Sequence, residues 1–179
     1  MNISEIYTTR PLDKRFPKEE RVYDLFEKLS ISYRRVDHGA AMTMDDCAEA
    51  KAVLGVKICK NLLLCNSQKT KFYLLLMSGE KQFVTKDFSK MIGSSRLSFA
   101  PAEYMERFLD ITPGSLSVLG LMNDTDNNVK LYIDKDVVAD EYFGCHPCIN
   151  TSSMAFLTRD LLDTLLPAMG HEAEFVELR

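Results

Sequence analysis

The chain has 179 residues, 46% of them apolar and 27% charged, and carries a net charge of −4. That length suits one domain (1–179) with a real core, and the charge excludes wrapping a long stretch of nucleic acid, which needs clustered Lys and Arg. No run approaches the roughly 20 apolar residues of a spanning helix, and the N-terminal stretch has no apolar leader. The expectation is therefore a cytoplasmic protein with no membrane partner and no DNA partner. Five cysteines at irregular spacing fit reduced thiols better than a disulfide framework. Lys57, Lys60, Lys69, Lys71, Lys81, Lys86, Lys90 and Arg96 all fall in the central half, which leaves room for a local basic patch able to grip one end of an RNA.

Residues 1–16 read as an irregular lead-in. Pro17 opens a helix, with Glu19 and Glu20 at the positive end of its dipole and Val22, Leu25, Phe26 and Leu29 on one face. Residues 31–36 read as a strand ending at Asp37-His38-Gly39. Thr43 is placed as the N-cap of a second helix that stops at Gly55. Residues 57–65 and 71–77 form a hairpin, and the triplets Leu62-Leu63-Leu64 and Leu74-Leu75-Leu76 predict strands covered on both faces. A short helix from Thr85 to Ile92, a short strand at 96–99 and a helix from Pro101 follow. Residues 118–122 and 129–133 are read as a second hairpin. A last helix follows Thr158, and residues 174–178 form a terminal strand. This mixed order predicts a single α+β domain built on a mixed, mostly antiparallel sheet of six or seven strands with helices around it.

Between the apolar runs 131–133 and 154–157 lies Gly144-Cys145-His146-Pro147-Cys148-Ile149-Asn150-Thr151-Ser152-Ser153. This segment reads as a polar loop stiffened at Pro147 and suited to holding a small polar ligand. Its expected partner across one pocket is Cys59-Lys60-Asn61, at the head of an apolar strand. The Cys145/Cys148 spacing admits a redox dithiol, but the residues that follow are poor helix material. Metal-ligand spacing is absent, so no metal and no cofactor are assigned. His38 and His171 read as surface or loop residues, and no nucleophile elbow or Gly-rich phosphate loop occurs. The residues alone thus give a polar pocket without an obvious protein nucleophile.

Asp37-His38, the segment from Thr43 to Gly55, and Val56-Lys57-Ile58-Cys59-Lys60-Asn61-Leu62 resemble the YbaK/prolyl-tRNA synthetase editing-domain family. In that family a Lys at the head of a central strand, often followed by Asn, is the signature functional residue. The stretch from Pro113-Gly114-Ser115 to Gly120-Leu121-Met122-Asn123-Asp124 is similar to the P-G-S-x-x-x-x-G-L-x-N-D run of free-standing members. His146-Pro147-Cys148-Ile149-Asn150-Thr151 resembles the H-P-x-x-N-T loop of the PrdX/ProX (ProXp-ala) subgroup. Gly144 and Pro147 are closer together than in domains fused to the synthetase, so the match leans on His146, Pro147 and Asn150.

The resemblance implies a deacylase that hydrolyses a wrong amino acid, alanine first, from the acceptor end of prolyl tRNA, with prolyl-tRNA synthetase as a further partner. It implies Lys60, Asn61, Gly144 and His146 as catalytic residues and Asn150 and Thr151 as substrate-binding ones. The stiffness of the loop adds Pro147, Ile149 and Met122 as substrate-binding walls of a pocket small enough to exclude proline. Two alternatives stand beside it: a Cys-tRNA(Pro) deacylase of the YbaK type, and a non-catalytic module that binds tRNA or a synthetase.

Overall fold

The computed structural model describes residues 2–179. Among them eight strands form two sheets. β1 (Arg34–Asp37), β6 (Tyr142–Cys145) and β7 (Ser152–Leu157) make a three-stranded antiparallel sheet in the order β1-β7-β6. β2 (Lys60–Asn66), β3 (Phe72–Met77), β4 (Leu97–Phe99), β5 (Val129–Asp134) and β8 (Ala173–Val176) make a five-stranded sheet in the order β4-β2-β3-β5-β8. Four of the six pairings are antiparallel, so the mixed, mostly antiparallel α+β architecture holds.

The leucine triplets explain why β2 and β3 lie at the heart of the larger sheet. Side chains alternate across a strand, so Leu63, Cys65, Leu74 and Leu76 enter one apolar cluster while Leu64, Tyr73, Leu75 and Met77 enter another on the opposite face. Both faces are covered. The hairpin turn is tied by Asn66, whose Oδ1 accepts from the N–H of Thr70 at 2.8 Å and of Lys71 at 3.1 Å. Helix α1 (Pro17–Lys28) buries Val22, Tyr23 and Phe26 against the larger cluster, and Phe26 meets Phe156 of β7 edge-on at 5.0 Å. This contact links the two sheets through one core.

Three expectations are corrected. The second hairpin does not form. Val118–Asn123 is a 3-10 helix whose first turn is capped by the Ser117 hydroxyl, and β5 instead runs parallel to β3. Val118 to Leu121 are all buried, so they show no strand alternation. A Cβ on Gly120 would also lie 2.6 Å from Ile111 Cδ1, which marks tight helical packing rather than a sheet. Second, the segment from Thr43 folds as a turn: the Thr43 Oγ1 accepts from the Asp46 N–H at 3.2 Å, and α2 proper is Ala48–Leu54. Third, the loop expected over 144–153 is shorter, since Gly144 and Cys145 close β6 and Ser152 and Ser153 open β7. β6 was masked by its short, mixed composition.

Helices α3 (Thr85–Met91) and α4 (Ala102–Leu109) flank β4, near where the sequence sets them. The last helix begins as α5 (Thr158–Asp160), passes through a π-helical stretch, Leu161–Leu165, and ends as α6 (Leu166–Ala168). The lead-in is not loose. The Tyr7 and Arg35 main chains exchange hydrogen bonds at 2.9 and 2.8 Å, and Arg15 and Arg35 both bind the Asp37 carboxylate. Burial pushes the Asp37 carboxyl up, but those two guanidiniums outweigh it and hold it below the usual range.

Candidate active site

Two segments far apart in sequence meet where Ile58 pairs with Gly144 in an isolated parallel bridge. The approach is close: a Cβ on Gly144 would lie 2.7 Å from Val56 Cγ2 and 3.2 Å from the Lys57 carbonyl oxygen. Only glycine lets β6 reach the segment that precedes β2. That contact sets Lys60 and Asn61, at the head of β2, beside Cys145 and His146, at the end of β6. All four line one cavity of about 490 Å³.

The rest of the cavity wall is mainly apolar, with Met42, Met44 and Cys47 on one side, Pro113, Gly114 and Leu116 on another, and Phe99, Ala102 and Met105 toward β4 and α4. Lys60 is half-buried, and its Nζ donates to the Lys81 main-chain oxygen at 2.7 Å. One of its three N–H donors is thereby spent, and the ammonium is held in place. Lys81 is anchored in turn, because its Nζ binds Asp134, Asp136 and the Leu178 carbonyl. Asn61 Nδ2 donates to the Cys59 oxygen at 3.3 Å, next to Lys60.

His146 is buried, and its tautomer follows from its neighbours. Nδ1 lies 2.8 Å from the Ser152 carbonyl, which only accepts, so Nδ1 carries the proton. The lone pair is then on Nε2, which faces the Cys47 sulfur at 3.8 Å. Burial lowers the His146 pKa, with the His38 ring 6.0 Å away adding to the effect, so the imidazole is a neutral acceptor near neutral pH. His38 is not the surface residue its sequence context suggests. It is buried, gives its Nδ1–H to the Gly39 carbonyl at 2.7 Å and takes the Ser153 hydroxyl at Nε2, 2.8 Å away. His171 is buried too, with Nε2 3.1 Å from Asp124. That pair sits outside the cavity and helps pin the turn before β5.

The other residues singled out in the sequence fall behind or beside the cavity. Pro147 and Ile149 are buried beneath the turn, where Cys148 takes a left-handed φ of +63°. Thr151 is exposed, and its carbonyl accepts from the His38 N–H at 3.0 Å. Asn150 lies at the rim: its carbonyl accepts from the Ala41 N–H at 2.9 Å, and its Nδ2 is 3.1 Å from Met42 Sδ. Met122 packs on the central core and does not line the cavity. Sequence reasoning missed Cys47, Phe99 and Lys81. Lys81 acts through its main-chain oxygen, which no side-chain pattern reveals.

None of the three thiols that line the cavity, Cys47, Cys59 and Cys145, is primed as a nucleophile. Burial pushes Cys59 and Cys148 up to about 12 and raises Cys145 and Cys47 as well, whereas a reactive cysteine needs a lowered pKa. All five cysteines are free, and among the described residues no group of three or more His, Cys, Asp or Glu is placed to hold a metal ion. What the cavity offers is a fixed cation, an amide and a neutral imidazole.

Residues 38–164, well over half of the chain, match the family model described as the aminoacyl-tRNA editing domain. The chain belongs to the aminoacyl-tRNA editing domain family. This editing domain is 26% identical to the prolyl-tRNA editing protein ProX of Acetoanaerobium sticklandii over 160 residues, covering 89% of this chain and 97% of that one. It is 23% identical to the prolyl-tRNA synthetase associated domain-containing protein 1 of Danio rerio, covering 85% and 81%. Among solved structures, a candidate trans-editing enzyme for prolyl tRNA synthetase superposes with a TM-score of 0.66 at 16% identity, covering 93% of this chain and all of that one. That likeness establishes the shared fold. As an editing domain the protein is an aminoacyl-tRNA deacylase, a hydrolase that cleaves the ester between amino acid and tRNA. Among the described residues no helix is long and apolar enough to cross a membrane.

Proposed function

We propose that this editing domain acts as a trans-editing deacylase that removes alanine wrongly attached to prolyl tRNA. The observation that carries the reading is the convergence of Lys60 and His146 on one cavity whose thiols are unprimed. An aminoacyl ester is already activated, so hydrolysis needs a positioned water and stabilisation of a developing oxyanion rather than a covalent nucleophile. Lys60 supplies the point charge to the ester carbonyl or the terminal phosphate. Asn61 and Asn150 orient the amino acid or ribose by hydrogen bonds. The His146 Nε2 lone pair accepts from the attacking water or from the substrate's ribose hydroxyl, which shares in activating that water. The prolyl assignment is supported by the names of the Acetoanaerobium and Danio relatives, and prolyl-tRNA synthetase is the partner it implies.

Selectivity follows from size. A synthetase site built for proline cannot strongly reject the smaller alanine, so a second site must exclude proline instead. In this reading the excluding walls are Ala41, Cys47, Pro113 and Leu116, which face the cavity, rather than Pro147, Ile149 and Met122. The test is a deacylation panel over Ala, Cys, Ser and Pro esters of one prolyl tRNA. The Ala ester is expected to turn over at least about tenfold faster than the Pro ester, the discrimination a few methylenes provide. Equal rates on both overturn size exclusion, a preference for Cys moves the assignment to the cysteinyl alternative, and no turnover of any ester leaves a binding module.

A further inference from the structure

We infer that Phe99 stacks a nucleobase of the unpaired RNA strand that leads into the cavity, an inference that rests on the proposed deacylase reading. Phe99 is 59% exposed, and unlike the more exposed Phe16 it lines the cavity that holds Lys60. It ends β4, the edge strand of the larger sheet, in register with Leu64 of β2. Lys60 lies four residues back along β2, about 13 Å by strand rise. That is longer than an aminoacyl group and on the scale of the nucleotide that carries it. With the ester at Lys60, the strand behind it runs over Phe99.

The ring is held ready for such a contact. Phe83 packs edge-on against it at 6.0 Å, Phe83 leans on the fully buried Phe88 at 6.0 Å, and Phe88 in turn meets Tyr132 at 5.5 Å. This row of aromatics fixes Phe99 from behind and leaves its outer side open. The local charge fits the same ligand. Lys57 and Lys81 are neutralised by Asp140 and by Asp134 and Asp136. By contrast Lys86 and Lys90 on α3, and Arg96 just before β4, are exposed and make no ion pair among the described residues. On α3 two lysines outweigh the one exposed carboxylate, Asp87, so this edge is net positive. An aromatic platform beside an excess of cations is the usual arrangement for single-stranded nucleic acid, where stacking tolerates any base and phosphate contacts add a salt-dependent term.

The chain has no Trp, so Phe99→Trp introduces a single indole at the platform. Titrated with prolyl tRNA carrying a non-hydrolysable, amide-linked 3′-alanine, its fluorescence is expected to quench saturably. Phe99→Ala should raise KM for the mischarged tRNA roughly 5- to 100-fold with kcat little changed, and Phe99→Tyr should restore it. A KM unmoved by Phe99→Ala, or an indole signal unmoved at saturating RNA, overturns stacking. So does a dimer lost on Phe99→Ala with RNA binding intact, which would assign the ring to self-association. The wild-type rate tests the deacylase reading on its own: an inactive wild type, alongside a Phe99→Trp variant whose indole still quenches, would sink that reading and keep the platform.

Discussion

Ile58 and Gly144, 86 positions apart, are neighbours across a single parallel bridge, and the site depends on that bridge. Gly144→Ala would force a methyl into the Val56 side chain at 2.7 Å and toward the Lys57 carbonyl. The backbone oxygen cannot step aside as a flexible side chain would. We expect a loss of about 1–3 kcal/mol of stability, read by denaturant melts, together with a fall in turnover as Cys145 and His146 shift away from Lys60. A variant with wild-type stability and rate would show that the close approach is dispensable.

Lys60→Ala removes the fixed cation. Turnover of the mischarged ester is expected to fall on the order of 10²–10³-fold, comparable to losing one oxyanion donor, while the thermal melt stays near wild type because the side chain is only half-buried. Lys60→Arg should rescue poorly, since a planar fork does not reproduce a compact ammonium bound to one carbonyl. Retained activity in the alanine variant would take Lys60 out of the mechanism.

Lys81→Met tests the anchor behind that cation. It strands the fully buried Asp134 carboxylate, and removing one partner of a buried pair costs about 3–5 kcal/mol. Because the Lys81 main-chain oxygen positions the Lys60 amine, kcat is expected to fall beyond what lost stability explains. Lys81→Arg should restore most of both. A kcat unchanged in the folded fraction of Lys81→Met would separate the anchor from the chemistry.

The imidazole of His146 sets a pH dependence. Burial lowers its pKa below the ordinary value of about 6.5, so between the lowered and the ordinary value the unfolded chain binds more protons than the folded one. Stability is therefore present above about pH 6.5 and declines as pH falls through that window. Activity should persist somewhat below the usual histidine range, then drop on an acid limb as Nε2 is protonated. His146→Gln should abolish that limb in a plot of kcat against pH; an identical profile would mean that another group titrates.

Residue pattern alone was enough for the parts of this protein that rest on local chemistry. The leucine triplets made β2 and β3 doubly buried strands because side chains alternate across a strand whatever surrounds it, and Pro17 with Glu19 and Glu20 marked the start of α1. His146 stood out because a proline-stiffened polar turn is a local feature, whereas a Lys at a strand head reads first as a solvated strand end and Lys60 was singled out by the resemblance to the editing-domain family. Tertiary structure decided the rest. Residues 118–123 turned helical because Gly120 had to pack against Leu109 and Ile111. His38 became buried because β1 pairs with β7. Lys81 and Phe99 entered the site only through contacts with residues tens of positions away. Such contacts leave no periodic trace in a sequence, since what they require is closeness in space rather than any composition nearby.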